Sequence, residues 1–377
     1  MALLTDGFGG RGGIARYNQD LMTALSQSSA VSAISILPRF GDTRAALPAG
    51  VRQYGAVGGK FAWTRRALEI ALCHPCDVIF CGHLNAAPLA AAIARLARKP
   101  YWLQVHGIEA WQPQGAAKRW AVDRATLVTS VSRYTRTRLL DWSDIAPERV
   151  RVLPNTVSAD FTPRPRRQDL IERYGLAGKR VITTVGRLDA LEQYKGHDRI
   201  IAAMPDVLQQ VPDAVYLIVG SGDDQLRLQA LADQAGVRDR VTFAGQIPGD
   251  ELADHVALSD VFAMPSTGEG FGIAFLEAAA MGVPVIGGNR DGSADALADG
   301  AIGQMINPDD PAELKDAICA HLLRPTPAGH DRIARFTQSH FVDHVGRLVC
   351  TLHDPPLART VRPRSANLTG TNSERAQ

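Results

Sequence analysis

No stretch of this sequence approaches the ~18 consecutive apolar residues that a membrane-crossing helix needs. The most apolar helical segment, Ala86 to Ala97, is short and carries Arg95. The N-terminus, Met1 to Asp6, lacks the basic segment and the longer greasy run of a secretory leader, so the expected compartment is the cytoplasm. Cysteine is scarce, with five in 377 residues, an odd and sparse set that argues against a disulfide framework. Cys73-His74-Pro75-Cys76, with Cys81 and His83 close by, falls short of a convincing four-ligand zinc site. It reads better as a turn before a buried strand in which Cys81 packs as a small apolar residue. Also missing is an Asp-x-Asp motif after an apolar run, so nothing in the chain demands a metal.

What is present is ordinary globular composition, 45% apolar and 21% charged. The length predicts two domains. The net charge of +2 hides an asymmetry. Residues 1–160 hold 19 Lys and Arg against 11 Asp and Glu, or 19 − 11 = +8; the remainder holds 22 against 28, or −6. A basic first half suits either an anionic partner, such as a membrane surface, a diphosphate-linked lipid or a nucleic acid, or simply a set of solvated faces.

Short apolar runs alternate with amphipathic segments, the signature of parallel α/β architecture. Strands are expected near Ala2–Thr5, Val31–Leu37, Asp77–Cys81, Tyr101–Val105, Thr126–Ser130 and Val150–Leu153. A Pro-punctuated basic stretch, Ser158 to Gln168, then reads as a linker. The alternation restarts with strands near Val181–Val185, Ala214–Val219, Val241–Ala244, Val261–Met264 and Val283–Ile286. The expected fold is α/β, with two doubly wound, Rossmann-like domains facing each other across a cleft. The expected boundaries are 1–157 and 158–337, a helix over about 338–352 returns to the first domain, and 355–377 has the composition of a disordered tail.

The chemistry-bearing residues fall at strand ends. After Met264 comes Pro265-Ser-Thr-Gly-Glu-Gly-Phe-Gly-Ile-Ala-Phe-Leu-Glu277, a glycine-rich turn that opens a helix. Free N–H groups and the positive dipole end of that helix form a cradle for a diphosphate. Glu269 and Glu277 cannot serve the phosphates, because like charges repel; they suit the hydroxyls of a sugar and a ribose. Gly186-Arg187 follows Val181–Val185 and leads to Tyr194-Lys195-Gly196-His197, where Arg187 offers a bidentate anion contact and Lys195 a point charge. Gly7-Phe8-Gly9-Gly10-Arg11-Gly12-Gly13 follows the first strand and delivers backbone N–H groups to an anion. His106-Gly107, Pro154-Asn155 and Gly220-Ser221-Gly222 occupy equivalent strand ends, which converge on one crevice in each doubly wound sheet.

In order and spacing these segments resemble the retaining glycosyltransferases of the GT-B fold, family 4, of the bacterial exopolysaccharide and lipid-glycan type. The resemblance runs from Asp6 to about Leu352. It implies that the second domain binds a nucleotide sugar of GDP-mannose or UDP-glucose type and the first an acceptor glycan or polyprenyl-diphosphate-linked lipid. It implies hexose transfer with Arg187 and Lys195 on the donor diphosphate and Glu269 on the transferred sugar, beside Gly270, Phe271 and Gly272. Glu277 should hold the ribose, His106 should sit by the anomeric carbon, and Gly12 and Gly13 near the diphosphate. Asn155, Gly186, Ser221 and Gly222 complete the expected binding set. No cofactor or metal and no nucleic acid are expected, while peripheral contact with the inner membrane face is. Departures from the pattern are a short first strand, Thr156 in place of a glycine after Pro154-Asn155, and seven residues between Arg187 and Lys195. A nucleotide-sugar epimerase and a non-catalytic nucleotide-sugar-binding protein are the rival readings.

Overall fold

The structure, a computed structural model, describes residues 1–10, 12–41, 46–324, 326 and 330–352. Segment 355–377, read above as a tail, lies outside the described residues. The first lobe holds strands β1 (Ala2–Asp6), β2 (Ile34–Phe40), β3 (Val51–Gln53), β4 (Ile79–Cys81), β5 (Tyr101–Val105), β6 (Leu127–Ser130) and β7 (Val150–Val152). They form one parallel sheet in the order β3-β2-β1-β4-β5-β6-β7. The second lobe holds β8 (Arg180–Val185), β9 (Ala214–Val219), β10 (Val241–Gly245), β11 (Val261–Met264), β12 (Val285–Gly288) and β13 (Gln304–Ile306). Their order is β10-β9-β8-β11-β12-β13, again parallel.

Helices cover both faces of each sheet, which is why the central strands are apolar on both sides. In the first lobe they are α1 (Gly13–Ser26), α2 (Lys60–Cys73), α3 (Ala87–Ala97), α4 (Ala116–Asp123) and α5 (Arg133–Leu140). In the second they are α6 (Gln168–Tyr174), α7 (His197–Gln210), α8 (Gln225–Gln234), α9 (Leu252–Val256), α10 (Ile273–Ala280), α11 (Ser293–Ala296), α12 (Pro311–Leu323) and α13 (His330–Ile333). The chain ends its described part in α14 (Gln338–Thr351), which packs on α1 of the first lobe through Phe341, its ring 6.0 Å from that of Tyr17. One apolar cluster therefore runs continuously from Tyr17 and Leu21 through Phe341 and Val345 to Phe271 and Phe275 of the second lobe.

Several boundaries differ from those read in the sequence. The second strand is Ile34–Phe40 rather than Val31–Leu37, because pairing with β1 continues through Leu4 with Pro38 to Asp6 with Phe40. The strand expected at Asp77–Cys81 shortens to Ile79–Cys81, and that expected at Val283–Ile286 runs Val285–Gly288. Strands β3 and β13 were not anticipated; each is a three-residue edge without an apolar run. The basic stretch after β7 lies along the second lobe: Arg164 and Arg167 pair with Asp254 at 2.9 and 3.1 Å, and Arg166 with Asp260 at 2.9 Å.

Strand order reverses direction between β1 and β4 in one sheet and between β8 and β11 in the other. At such a switch point the flanking loops diverge to opposite faces and leave a crevice at the carboxyl ends of the strands. The residues singled out in the sequence follow these strand ends.

Candidate active site

Lys195 and Glu269 form the centre. Lys195 enters α7 from a short helical turn after β8, and Glu269 lies on the loop after β11, so two neighbouring strands deliver the two charges. Lys195 Nζ donates to Glu269 Oε1 at 2.5 Å, with the side chains only 12% and 13% exposed. Burial alone would favour loss of the Lys195 proton, but the adjacent carboxylate outweighs it and holds the ammonium above its ordinary pKa. The Lys195 stem lies over Gly186, and its ammonium lies 5.1 Å from the ring centroid of Tyr194. Tyr194 in turn packs against Gly268 and accepts a backbone hydrogen bond from Thr267 through its carbonyl.

Arg187 is placed differently. It reaches Glu192 and remains 70% exposed at the rim rather than joining the buried pair. Both cations thus carry a carboxylate partner. The Gly186-Arg187-Leu188 loop is locked to Gly220-Ser221-Gly222, since the Leu188 N–H donates to the Ser221 carbonyl at 3.0 Å. Ser221 and Gly222 are exposed at the cleft edge.

The Glu269 loop is fixed from behind by Asp291, which the sequence reading missed. One Asp291 oxygen accepts from the Glu269 N–H at 2.7 Å and from the Ser266 hydroxyl at 2.8 Å; the other accepts from the Ser293 N–H at 2.9 Å. Its burial pushes its pKa up. The strand-end rule that located Glu269 would have located Asp291 too, because Asp291 follows β12. In front, Gly270 touches the other lobe: a Cβ there would sit 1.9 Å from the His106 carbonyl oxygen. No side chain is tolerated at this approach. Phe271 is buried against Phe336, the ring centroids 5.9 Å apart.

Three helices point their N-termini toward this region, α1 after Gly12, α7 after Gly196 and α10 after Gly272, and none has a side-chain cap. The first-turn N–H groups of α1 and α10 are available to an anion, while in α7 the Arg199 N–H already donates to Asp198 Oδ1 at 3.0 Å. Gly12 and Gly13 have open space where a Cβ would be.

On the first lobe, His106 Nε2 lies 2.9 Å from the Gly82 carbonyl. A carbonyl only accepts, so Nε2 carries the proton and Nδ1 is an acceptor. Burial lowers the ring's pKa to about 4, against an opposing pull from Glu109, whose carboxylate accepts the backbone N–H of His106 at 2.6 Å. Asn155 is buried with its Oδ1 unpaired among the described residues, while its neighbour Thr156 donates its hydroxyl to the Phe336 carbonyl at 2.7 Å. The threonine that departs from the family pattern thus ties the end of β7 to the segment that leads into α14.

Glu277 faces α1 rather than the Lys195 pair. Burial raises its pKa to about 7, with Arg16 opposing and Asp20 adding to the shift; burial likewise raises Asp20 to about 6, with Arg16 at 3.5 Å opposing. The sign follows from the raised folded value. Between about 4.5 and 7 the folded chain keeps a proton that the unfolded chain releases, so stability falls as pH rises through that window and levels off above it. In Glu277→Gln this share, about 1–3 kcal/mol, disappears. The melting temperature should fall less between pH 5 and pH 7.5 in the variant than in the parent; equal falls would contradict the assignment.

Comparison with known proteins agrees with this geometry. The family described as glycosyl transferases group 1 matches residues 167–334, and that described as glycosyltransferase family 4 matches residues 11–161. The GDP-mannose-dependent alpha-(1-6)-phosphatidylinositol monomannoside mannosyltransferase of Mycolicibacterium smegmatis is 36% identical over 273 residues, 68% of this chain and 69% of the relative. The 2-deoxystreptamine glucosyltransferase of Streptomyces kanamyceticus is 28% identical over 86% of this chain and 85% of its own. Among solved structures, Anabaena HepE in complex with UDP superposes with a TM-score of 0.73 at 20% identity, over 93% of this chain and 99% of that one. Sucrose-phosphate synthase from Thermosynechococcus elongatus gives 0.73 at 22% identity, over 93% and 98%. With the two parallel α/β lobes and the crevice between their switch points, these likenesses establish that the chain belongs to the group 1, family 4 glycosyltransferases and has the GT-B fold.

Proposed function

We propose that this enzyme transfers a hexose from a nucleotide sugar of GDP-mannose or UDP-glucose type to a hydroxyl of a glycan or lipid-linked acceptor, with retention at the anomeric carbon. The observation that carries the reading is the Lys195–Glu269 pair beside the uncapped start of α10. A donor presents two chemistries side by side, a diphosphate and a hydroxylated ring. The diphosphate attracts Lys195, Arg187 and the free N–H groups; the ring hydroxyls donate to Glu269. The ligand splits the ion pair and satisfies each half. The name of the Mycolicibacterium relative, a GDP-mannose-dependent enzyme, supports a donor of this class.

The chemical step follows from the same groups. The bond from the anomeric carbon to the diphosphate oxygen loosens, and its electron pair leaves with the nucleoside diphosphate. The acceptor oxygen bonds to the anomeric carbon from the same face, and its proton passes to the departing phosphate oxygen. Lys195, Arg187 and the α10 N-terminus stabilise the growing phosphate charge, on the order of 3–4 kcal/mol for a well-placed donor. Because cationic side chains meet that charge, the mechanism needs no metal. Glu277, on the same helix and facing α1, is assigned to the donor's ribose, and contact between the lobes at Gly270 and His106 excludes water from the reacting atoms.

Lys195→Ala and Arg187→Ala should each lower nucleoside diphosphate release in the presence of acceptor by about 100-fold or more, with the melting temperature largely preserved in Arg187→Ala and lowered in Lys195→Ala, which leaves Glu269 buried without its partner. Unchanged turnover in both would refute the assignment. A thermal-shift series with GDP, UDP, GDP-mannose and UDP-glucose should select one base.

We assign the acceptor side to an anionic inner-membrane surface. On α2, Phe61 and Leu72 are 93% and 76% exposed, in a helix that also carries Lys60, Arg65 and Arg66. Apolar side chains among cations suit the headgroup layer of anionic lipid. Sedimentation with phosphatidylglycerol vesicles should fall several-fold in Phe61→Ser and fall with salt in the parent; no sedimentation of the parent at low salt would overturn this assignment.

A further inference from the structure

The transfer step leaves one buried imidazole of the second lobe without a role. His197 is the first residue of α7, two positions after Lys195, and is 5% exposed. Its Nδ1 lies 2.9 Å from the Tyr216 hydroxyl, and that hydroxyl lies 2.8 Å from Thr184 Oγ1. Thr184 in turn donates to the Ala263 carbonyl at 2.5 Å. Only one arrangement of protons satisfies this chain. A carbonyl only accepts, so the single hydroxyl proton of Thr184 is used on Ala263. Tyr216 must then donate to Thr184, and its oxygen accepts from His197. His197 therefore carries its proton on Nδ1, and its buried Nε2, which has no hydrogen-bond partner among the described residues, is a bare acceptor. Burial lowers the ring's pKa to about 3, with Lys195 adding to the shift, Asp224 opposing and Arg227 adding, so the ring is neutral near pH 7 and the chain runs in one direction.

The chain crosses three strands where the second sheet opens. Tyr216 lies on β9, Thr184 on β8 and Ala263 on β11, and all three are fully buried. The register of β8 with β11 pairs Ile182 with Val261 and Thr183 with Phe262, and there it ends. At the next residue of each strand it is the Thr184 hydroxyl that reaches the Ala263 carbonyl. This is the switch point, from which β8 leads on to Lys195 and β11 to Glu269. Two other contacts join the same segments. The Thr267 N–H donates to the Tyr194 carbonyl at 2.9 Å, and Arg199 Nη1 donates to the Pro265 carbonyl at 3.2 Å. Both act on the loop beyond Met264, whereas the His197 chain acts on the strands themselves. In a buried chain a lost link leaves polar atoms unpaired, with no solvent to take its place.

We propose that His197 is a positioning residue for the transfer step: its Nδ1–H, relayed through Tyr216 and Thr184 to the Ala263 carbonyl, holds β8 and β11 at the spacing at which Lys195 meets the donor's diphosphate while Glu269 meets its sugar. The proposal rests on the transferase reading and adds to it the device that sets the distance between the two charges. His197 touches neither substrate nor the reacting atoms. A donor must engage both charges at once, so an error in their spacing acts on the whole nucleotide sugar and spares a ligand that uses Lys195 alone.

Three substitutions separate positioning from packing. Tyr216→Phe removes the middle hydroxyl and keeps the ring. His197→Leu removes the Nδ1 donor, and His197→Asn restores one, because the amide nitrogen occupies the place of Nδ1. The assay follows nucleoside diphosphate released by hydrolysis of whichever of GDP-mannose or UDP-glucose the parent turns over. Tyr216→Phe and His197→Leu should each lower kcat about tenfold, and the double variant should lower it no further. His197→Asn should recover most of that loss. Calorimetric affinity for GDP or UDP, which offer Lys195 a diphosphate and Glu269 no sugar, should stay within about twofold of the parent. An unchanged kcat, additive losses, an equal loss in His197→Asn, or an affinity for the nucleoside diphosphate that falls in step with kcat overturns the proposal. Nitrogen NMR of histidine-labelled protein, with His197 identified by its absence from His197→Asn, reads the chain without turnover: a neutral Nδ1–H ring is expected at pH 7.5, and an Nε2–H ring overturns the proposal. A parent that hydrolyses neither donor contradicts the transferase reading, and the NMR result stands apart from that failure.

Discussion

The site depends on a buried ion pair. Taking Lys195 and Glu269 out of water costs several kcal/mol per ion after relaxation, and their attraction offsets this only with good geometry. The 2.5 Å contact supplies that geometry. Such a pair adds little stability over two apolar side chains, so its use lies in what it does when a ligand separates the charges. A diphosphate-linked sugar offers each half a partner in place of the other. The desolvation has already been met in folding, so the two groups are pre-aimed when the donor arrives.

The fold holds that pair by backbone rather than by long side chains. Neighbouring strands β8 and β11 set the separation of the two loops. Asp291 ties the Glu269 loop down through two hydrogen bonds, to Ser266 and to the Glu269 N–H, and the Thr267 N–H reaches back to the Tyr194 carbonyl. The contact of Gly270 with His106 then links the pair to the other lobe. Arg133 on α5 adds a bridge between lobes, with its Nε 2.9 Å from Asp295 and a terminal nitrogen 2.6 Å from Asp299. Both acidic partners flank the end of α11, where Ala298 and Asp299 take left-handed backbone conformations with φ of 53° and 56°. α14 completes the coupling by packing on α1.

Much of this was legible in the sequence wherever burial is uniform. Tyr101–Val105, Ala214–Val219 and Val261–Met264 are strands at the expected limits because every residue in them is buried. The edge strands Val51–Gln53 and Gln304–Ile306 were not, since edges need little apolar sequence and owe their conformation to pairing. Glycine-rich turns after strands pointed to Glu269, Lys195 and His106. Their partners stayed hidden: Lys195 and Glu269 lie 74 positions apart, and nothing local says that they pair. Arg187, of the same apparent type as Lys195, proved to be a rim group held by Glu192. Asp291 acts through hydrogen bonds to Ser266 and Glu269 that exist only once β11 and β12 are side by side.

The account's central claim is that Glu269 occupies Lys195 until the donor's sugar and diphosphate divide them. Titration calorimetry of Glu269→Gln with GDP and UDP, which carry the diphosphate without the sugar, tests it directly. The account predicts that the preferred nucleoside diphosphate binds the variant several-fold more tightly than the parent, because Lys195 no longer has to be released from a carboxylate. Equal or weaker binding by the variant would contradict it.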